Sequence, residues 1–517
     1  MSACDAAKAN NSSLGCDYFV VEPDTLSIVQ GACFAVYVAN TWTAPVTLTA
    51  EWGTTSLQIA AATRKPSGSG VSLTYTPLTN GQLQPGEVGI VFLNSFNAGG
   101  MLNIDCPVAP AMTAYDGAVH GTAIGKAFHI ASDRPIVAYD MMPFGGGAGL
   151  TTGATLLLPT TAWDTNYIAV NPFEQSQLSP DLQNFIAITA AEDATGVTIS
   201  PTADILAGAG VAGTTKGQPH TYVLNRGEYL QIVQPGELTG SPIQSNKPVG
   251  VWGGANCFNI GVNSNYCDSA HQQLPPVSSL GHEYVAVRYR NRYQGVEEVV
   301  PWRIVGGVDG TTLTYEPSTP PGAPTTINSR EVQEFWAPGP FVVRSQDNQH
   351  PFYVSAYMTS SQDPNAGGPT DGGPNERGDP EFVNVIPPDQ FLTSYVFFTD
   401  PTYPETDLVL VRTKGLSGFA DVTLDCAGTL SGWQPLGTSG TYEWTRVDVA
   451  TGDFAPVGGC DNGRHEIHSD APFGVTVWGW GSEATSATIQ TVDVSYAYPA
   501  GAHIMHITPV VVPASPK

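Results

Sequence analysis

The chain has 517 residues, more than one hydrophobic core commonly serves, so we expect several domains or a repeat array. Its net charge of -26 comes from 46 acidic and 20 basic residues, which argues against nucleic acid or anionic lipid as a partner. Glycine (56) and proline (42) are abundant and long helical patterns are scarce. The composition therefore predicts an all-β protein of short strands and tight turns.

The eight cysteines favour disulfide bonds in an oxidising compartment. None forms a C-x-x-C pair, so a zinc ribbon or a thioredoxin-like motif is not expected. Close spacing favours pairing within Cys4/Cys16, Cys257/Cys267 and Cys426/Cys460, which would leave Cys33 for Cys106, although spacing alone does not fix the connectivity. We expect an extracellular or surface-attached protein, with no membrane insertion and with its signal segment absent from this chain.

One strand pattern occurs four times along the chain, at intervals of about 110 residues. A polar turn leads to a proline and then to alternating apolar residues, at Pro135, Pro248, Pro351 and Pro472. Because proline is tolerated at the first residue of a strand, each proline is predicted to begin one.

Period-two alternation predicts further strands around each of these four positions. A hairpin is predicted ahead of each proline, with one more strand between. The hairpins pair 34–37 with 46–49, 185–188 with 197–199, 302–305 with 313–315, and 408–411 with 422–424. A Leu-Pro or Ile-Pro turn then leads to a strand that carries Tyr167, Tyr284 or Tyr395, and the N-terminal counterpart carries Tyr18.

These patterns predict four units, at about 18–159, 160–275, 276–387 and 388–499. An N-terminal segment, 1–17, precedes them and a tail, 500–517, follows. Because the last unit stops where the first begins, the units are expected to close into a propeller-like toroid, which would protect the sheet edges. Tandem β-sandwich domains are the alternative.

The densest polar cluster beside a cysteine comprises Asp268, His271, Gln272 and Gln273, next to Cys267. One interpretation is a ligand-binding rim held by a short Cys257–Cys267 loop. The other is a cross-link that fixes the chain's entry into the Leu-Pro-Pro sequence at 274–276.

Two Gly/Pro-rich stretches, 141–154 and 361–381, are expected to be exposed loops that could carry function. The second contains Arg377-Gly378-Asp379, a tripeptide of the integrin-binding type. Adhesion through Arg377 and Asp379 is one hypothesis, and chance occurrence of a short motif is the other.

No catalytic residue is assigned from the sequence, and the protein is predicted not to be an enzyme. His465 and His468 are three apart in a strand-like segment, whereas a zinc-protease helix needs two histidines four apart. No cofactor is expected beyond calcium, for which the acidic turns at 192–193 and Asp309 are weak candidates. The simpler interpretation of both is an ordinary hairpin turn.

Several segments resemble one known family. LNRGEYLQI at 224–232, ELTGSPIQSNKPVGVWGGANC at 237–257, CDSAHQQLPPVSSLGHEYVAV at 267–287 and DGTTLTYEP at 309–317 are similar to the N-terminal domain family of IgG Fc-binding protein. SLGCDYFVVEPD at 13–24 resembles the start of its secreted bacterial members. The resemblance extends from about 16 to 499 and implies an extracellular, disulfide-bearing, non-catalytic binding or adhesion domain. It brings no defined binding residues.

The chain differs from the animal protein because it has none of the Cys-rich von Willebrand-type modules that follow this domain there. A role in a mucus network is therefore not implied. The leading hypothesis is a binding protein that presents loops of a rigid scaffold to a protein or glycan partner at a cell surface. A surface polysaccharide hydrolase and a structural component of a surface layer or appendage are the alternatives.

Overall fold

The computed structural model describes residues 2–96, 104–145, 151–174, 179–260, 267–368, 375–482, 491 and 494–514. The predicted all-β class is confirmed, since 47% of the residues are in strands and 5% in helices. The one α-helix of the described residues is α1, Ala3–Asn10, which Ser2 caps through a hydrogen bond to the Asp5 N–H. Short 3₁₀ turns occur at Ser27–Val29, Gly70–Ser72, Thr79–Gly81, Thr160–Ala162, Val277–Ser279 and Pro388–Gln390.

The strands fall into four consecutive groups along the chain. The first group is β1 Gly15–Val20, β2 Phe34–Asn40, β3 Leu48–Trp52, β4 Thr55–Leu57, β5 Thr63–Ser67, β6 Thr74–Pro77, β7 Val88–Asn94, β8 Ala123–Lys126, β9 Phe128–Met142 and β10 Gly153–Leu156. The second is β11 Asp164–Ile168, β12 Asn184–Ala190, β13 Thr195–Ile199, β14 His220–Leu224, β15 Glu228–Gln234, β16 Pro242–Phe258 and β17 Asp268–Gln273.

The third and fourth groups complete the strands. The third is β18 Glu283–Ala286, β19 Val300–Gly306, β20 Thr311–Thr312, β21 Thr314–Glu316, β22 Thr326–Ile327, β23 Val332–Ala337, β24 Phe341–Arg344, β25 Phe352–Met358 and β26 Glu381–Asn384. The fourth is β27 Leu392–Thr399, β28 Glu405–Thr413, β29 Val422–Leu424, β30 Gly428–Thr429, β31 Gln434–Leu436, β32 Tyr442–Thr451, β33 Ala455–Pro456, β34 Gly463–Trp480 and β35 Ser495–Pro499.

A long strand organises the first, second and fourth groups. In the second group, β16 pairs through its first half with β11 and β13, and through its second half with β12 and β17. The strands β9 and β34 have the same kinds of partners. In the third group this role is divided between β24 and β25. Each of these sheets is therefore bent into two layers.

The bend in β16 lies at a bulge. Asp164 of β11 pairs with Val249, but Asn166, only two residues later, pairs with Gln244, so residues 245–248 have no partners in β11. The register of β9 against β1 and of β34 against β27 breaks in the same way. A bulge leaves its extra residues unpaired and bends the strand.

The prediction that the prolines begin strands is wrong for Pro135, Pro248 and Pro472. These residues lie inside β9, β16 and β34, at the end of each bulge, where a residue without an N–H group loses no ladder hydrogen bond. Only Pro351 directly precedes its strand, β25.

The four predicted hairpins are also wrong, although their strands form. The two strands of each proposed hairpin do not pair with each other, because both pair with the long strand or with its counterparts β24 and β25. Alternation of apolar and polar residues identifies a strand but not its partner.

The tyrosine-bearing strands β1, β11, β18 and β27 make the same contact in each group. Each tyrosine hydroxyl donates a hydrogen bond to the carbonyl oxygen of the residue that follows the proline. The pairs are Tyr18–Ile136 at 2.6 Å, Tyr167–Val249 at 2.7 Å, Tyr284–Phe352 at 2.6 Å and Tyr395–Phe473.

Four short strands, β10, β17, β26 and β35, meet at the centre of the protein. β10 contacts β17 and β35, and β26 contacts the same two strands. The described strands nevertheless form six separate hydrogen-bonded sheets, some of them half-barrels, and no closed propeller is found. The reason is that each long strand bends through two layers instead of lying flat in a blade.

The first and fourth groups share one hydrophobic core. Tyr37 donates to Asp400 at 2.7 Å, and Tyr139 donates to the carbonyl oxygen of Ala500 at 2.5 Å. The residues after β35 continue across the second group, where Val512 and Asn166 exchange two hydrogen bonds.

All four predicted disulfide bonds are present: Cys4–Cys16, Cys33–Cys106, Cys257–Cys267 and Cys426–Cys460. They fit an extracellular protein. Among the described residues, no helix is both long and apolar enough to span a bilayer.

Candidate binding site

The predicted cluster beside Cys267 lies in the central strand β17 and is buried. Asp268 and Gln272 have no exposed surface and His271 is 2% exposed. The Gln272 amide donates to the carbonyl oxygens of Ala154 and Ala497, in β10 and β35. These side chains connect three groups at the centre of the protein, and their role in binding stays a prediction.

Charged groups in this central cluster are held by hydrogen bonds. Asp268 accepts from the backbone N–H groups of Thr152 and Ser495, and His271 contacts Asp140 at 2.5 Å. Burial raises the pKa of Asp268 well above its usual range, and the nearby Glu381 raises it further. Burial likewise raises the pKa of Glu381. The cluster is an interior polar network that holds the inner strands together.

The Arg377-Gly378-Asp379 tripeptide does not present both of its charges to solvent. Asp379 is only 2% exposed, and its N–H donates to the Ser495 hydroxyl at 2.8 Å. Arg377 is half-buried and forms an ion pair with Glu405 at 2.9 Å. This geometry does not favour integrin-type adhesion, but it places Arg377 at the edge of an open cleft.

We call this feature the arginine cleft. It has a volume of about 470 Å³ and opens to solvent. Its lining residues are Arg290, Asn291, Arg292, Tyr293, Gln294, Arg377, Glu405, Asp448, Thr451 and Gly452. They come from the loop after β18, the segment before β26, and the strands β28 and β32.

The sequence RYRNRY at 288–293 builds one side of the cleft. Tyr289 between two arginines is fully buried against Trp478 and Trp480, and this anchors the segment. The Arg290 guanidinium lies over the Trp480 ring at 4.7 Å and forms ion pairs with Glu405 and Asp448, both at 2.5 Å.

Arg292 supports the cleft from below. It forms an ion pair with Glu298 at 3.1 Å, and both side chains have no exposed surface. Arg292 also donates to the backbone carbonyl of Arg377 at 2.6 Å, so it connects the 288–293 segment to the opposite edge. Such a buried pair requires good geometry to offset its desolvation cost.

Two further arginines beside the cleft have no carboxylate within ion-pair distance among the described residues: Arg288 and Arg446. The Arg288 guanidinium donates to two backbone carbonyl oxygens and to Asn291. Arg446 donates through Nε to the Arg288 carbonyl at 2.8 Å and lies over the Trp444 ring at 4.7 Å.

The half-buried charge of Arg446 is poorly compensated. Burial and the nearby Arg288 together lower the pKa of its guanidinium to about 10, although Asp407 opposes the shift. An acidic group supplied from outside would therefore be favourable beside Arg446.

One group of side chains has the residue types of a metal site. Asp425, Cys426 and His465 lie within 4.8 Å of one another, but the Cys426 sulfur belongs to a disulfide and cannot act as a thiolate ligand. His465 is buried and His468 is exposed in β34, as expected for opposite faces of a strand. The acidic turns at Asp193 and Asp309 instead accept backbone hydrogen bonds from Arg226 and Ser329.

A family model described as IgGFc binding protein matches residues 153–479. The chain belongs to the IgGFc-binding protein family. This is a family of non-enzymatic binding proteins, and membership fits an extracellular binding protein. Among the curated proteins, none matches the chain.

The part that matches the IgGFc-binding family includes every residue that lines the arginine cleft. Of the residues that line the cleft, the sequence pointed only to Arg377, as part of the Arg377-Gly378-Asp379 tripeptide. The available signal was RYRNRY, which concentrates three arginines in six residues of a chain with only 20 basic residues.

Proposed function

We propose that this protein is an extracellular, non-catalytic binding protein that holds an acidic surface of a protein partner at the arginine cleft. The observation that carries the proposal is Arg446, a half-buried arginine with no carboxylate in ion-pair distance among the described residues, next to Arg288. A partner carboxylate would supply the missing charge.

The composition of the cleft supports a protein partner. Arginine, tyrosine and tryptophan dominate the energetic centres of protein interfaces, and the lining residues Arg290, Arg377 and Tyr293 are of these types. The cleft is also broad and open, unlike the enclosed pockets that bind small molecules. The family description names a protein ligand, immunoglobulin Fc, which is therefore the first probe to use.

The binding test is biolayer interferometry with immobilised IgG Fc and, in parallel, with an acidic mucin. We expect Arg446→Ala and Arg377→Ala to weaken binding about tenfold or more, and added salt to weaken binding of the unsubstituted chain. The control is Arg134→Ala, which removes an arginine outside the cleft whose ion pair among the described residues is with Asp133. Binding that is unaffected by both Arg446→Ala and Arg377→Ala, or no binding to either probe, would overturn the proposal.

Glycan binding is a second candidate, at a different cleft. An opening of about 360 Å³ is lined by residues that include Trp42, Thr393, Glu466 and His503. An indole ring beside polar groups is a common arrangement for stacking and hydrogen bonding a sugar. If this is the binding site, Trp42→Ala abolishes retention on a glycan array, while Arg446→Ala has no effect.

A hydrolase mechanism is less well supported. Glu405 and Asp448 are close enough to act as a pair, because both contact Arg290. A glycosidase needs one carboxylic acid that gives a proton to the leaving group, whereas both carboxylates here accept from one guanidinium.

For the scaffold, we propose that the four strand groups are copies of one unit, with boundaries near 159, 275 and 387, arranged around the inner strands β10, β17, β26 and β35. The equivalent tyrosine contacts in all four groups support this. If the groups are copies of one unit, Tyr167→Phe in the second group and Tyr284→Phe in the third should lower the free energy of unfolding by similar amounts.

A further inference from the structure

A cluster of buried polar side chains where the first and second groups join contains oxygen atoms without hydrogen-bond partners among the described residues. We call it the Glu22 pocket and define it by Glu22, Asn94, Gln231 and the segment 115–121. The segment precedes β8, which leaves the first group to pair with β15 of the second. The pocket therefore lies where the two groups are joined.

Glu22 is the central residue of the pocket. Its side chain has no exposed surface, and both carboxylate oxygens lack a hydrogen-bond partner among the described residues. A Cβ atom at Gly117 would lie only 2.0 Å from Glu22 Oε2 and 3.1 Å from Asn94 Nδ2. The Glu22 carboxylate and the Asn94 amide nitrogen therefore both lie close to Gly117.

Two amide side chains present further unpaired oxygens. Asn94 donates through Nδ2 to the Tyr115 carbonyl at 3.0 Å, and its buried Oδ1 has no partner among the described residues. Gln231 donates through Nε2 to the carbonyls of Val119 and Gly121, and its Oε1 is equally unpaired. Carbonyl groups of the segment 115–121 accept hydrogen bonds from the nitrogen atoms of both amides. The oxygen atoms of both amides are left without partners among the described residues.

A histidine near Glu22 is already paired with two other acidic residues, so it is not free to form an ion pair with Glu22. His120 contacts Asp24 at 2.8 Å and Asp116 at 3.1 Å. These two hydrogen bonds raise the pKa of His120 to about 10, although burial opposes the shift. One imidazolium between two carboxylates leaves a net negative charge beside Glu22.

The Glu22 carboxylate is fully buried and accepts no hydrogen bond from the described residues, while His120 is already held between Asp24 and Asp116. An ionised Glu22 therefore has no positive charge paired directly with it among the described residues. A buried carboxylate with no partner costs several kcal/mol, so either a proton or a cation must be bound.

We propose that the Glu22 pocket binds a calcium ion through the Glu22 carboxylate, Asn94 Oδ1 and Gln231 Oε1. Calcium takes six to eight oxygen ligands, and side-chain amides and backbone carbonyls commonly complete the set. The atoms in the pocket that are free to bind a metal ion are all oxygens, and oxygen ligands favour calcium over zinc or copper. The ion joins the first group to the second, because Glu22 follows β1 and Gln231 lies in β15.

The test is equilibrium dialysis of the full chain against calcium chloride after treatment with EDTA, with bound calcium measured by elemental analysis. We expect one calcium ion per chain and a rise in the thermal unfolding midpoint when calcium is added. Extracellular modules bind calcium with a Kd of about 0.1 to 1 mM, which sets the concentrations to cover. A chain that binds no calcium in this range, so that a proton occupies the pocket, overturns the proposal.

Substitutions locate the ion. Glu22→Gln keeps the shape of the side chain and removes its charge, so it is expected to weaken calcium binding at least tenfold and to abolish the thermal shift. The matched control is Asp309→Asn with Glu192→Gln, which removes charges from exposed turns and leaves binding unchanged. Retained binding in Glu22→Gln, or loss in the control, places the ion elsewhere and overturns the proposal. If Glu22→Gln does not fold, Gln231→Glu serves instead, because a second carboxylate in the pocket strengthens calcium binding if the assignment is right.

Discussion

The hydroxyl of Tyr284 donates a hydrogen bond to the carbonyl oxygen of Phe352 at 2.6 Å, and both residues are fully buried. The same hydroxyl accepts from the Gly281 N–H at 2.9 Å. One phenol group therefore connects the start of β18 to the start of β25, which follows the loop between β24 and β25. Equivalent contacts occur in the other three groups, which makes them a general means of holding the bent sheets.

We expect Tyr284→Phe and Tyr167→Phe each to lower the free energy of unfolding by about 1 to 3 kcal/mol, since each leaves a buried carbonyl and a buried N–H without a partner. Urea denaturation followed by fluorescence measures the change. The control is Tyr115→Phe, which should change the free energy of unfolding little because Tyr115 is 61% exposed. Effects of Tyr284→Phe and Tyr167→Phe no larger than that of the control would show that the contacts do not stabilise the sheets.

Local patterns in the sequence predicted the strands better than their partners. The tyrosine-bearing strands, the strands before them and the disulfides could be recognised because they depend on alternation and cysteine spacing. The pairing of the strands could not be predicted in this way. The strands β12 and β13 both pair with β16, and Pro248 lies in a bulge inside β16 instead of at the start of a strand. A bulge has no specific signature in one sequence.

The candidate sites were harder to predict for a related reason. Asp268 and His271 have the residue types of a binding rim, and only the packing of β17 among three other inner strands shows that they are buried. The arginine cleft combines residues more than 150 positions apart, such as Arg290 and Asp448. Its charge pairs arise from tertiary packing, so no local motif could show them.

The disulfide bonds should differ in their contributions to stability. Cys33–Cys106 encloses 73 residues and Cys257–Cys267 encloses 10. In the chain-entropy model, removal costs about 4 kcal/mol for the first and about 3 kcal/mol for the second. The paired Cys→Ser variants can be compared by urea denaturation under oxidising conditions. An equal or larger loss for the 257–267 bond would mean that this disulfide acts mainly through the folded state.

Breaking the buried ion pair under the arginine cleft is expected to be costly. Glu298→Gln leaves the Arg292 charge without a counter-charge in a site where neither side chain is exposed, so we expect a loss of about 3 to 5 kcal/mol. Glu87→Gln, at the partly exposed Lys65–Glu87 pair, should cost about 1 kcal/mol or less. Thermal and urea unfolding of both variants measure the difference. Similar losses for the two variants would contradict the assignment of Arg292 and Glu298 as a support of the cleft.

Stability should also depend on pH through Asp407, beside the cleft. Burial and the nearby Asp448 together raise the pKa of its carboxyl from 3.8 to about 7, against the opposing effect of Arg290 and Arg446. The folded chain therefore binds more protons at this site than the unfolded chain between these two values. The stabilisation from Asp407 is complete below pH 3.8 and is lost as the pH rises to about 7.

Asp407→Asn removes this titration and keeps the side chain's shape, so it should flatten the dependence of unfolding free energy on pH between about 4 and 7. Urea denaturation at several pH values gives both curves, and the exposed Asp389→Asn serves as the control. Because Asp407 also opposes the lowering of the pKa of Arg446, the same substitution should lower that pKa further and make an acidic partner group more favourable there. An unchanged slope in Asp407→Asn would show that the carboxyl does not titrate in this range.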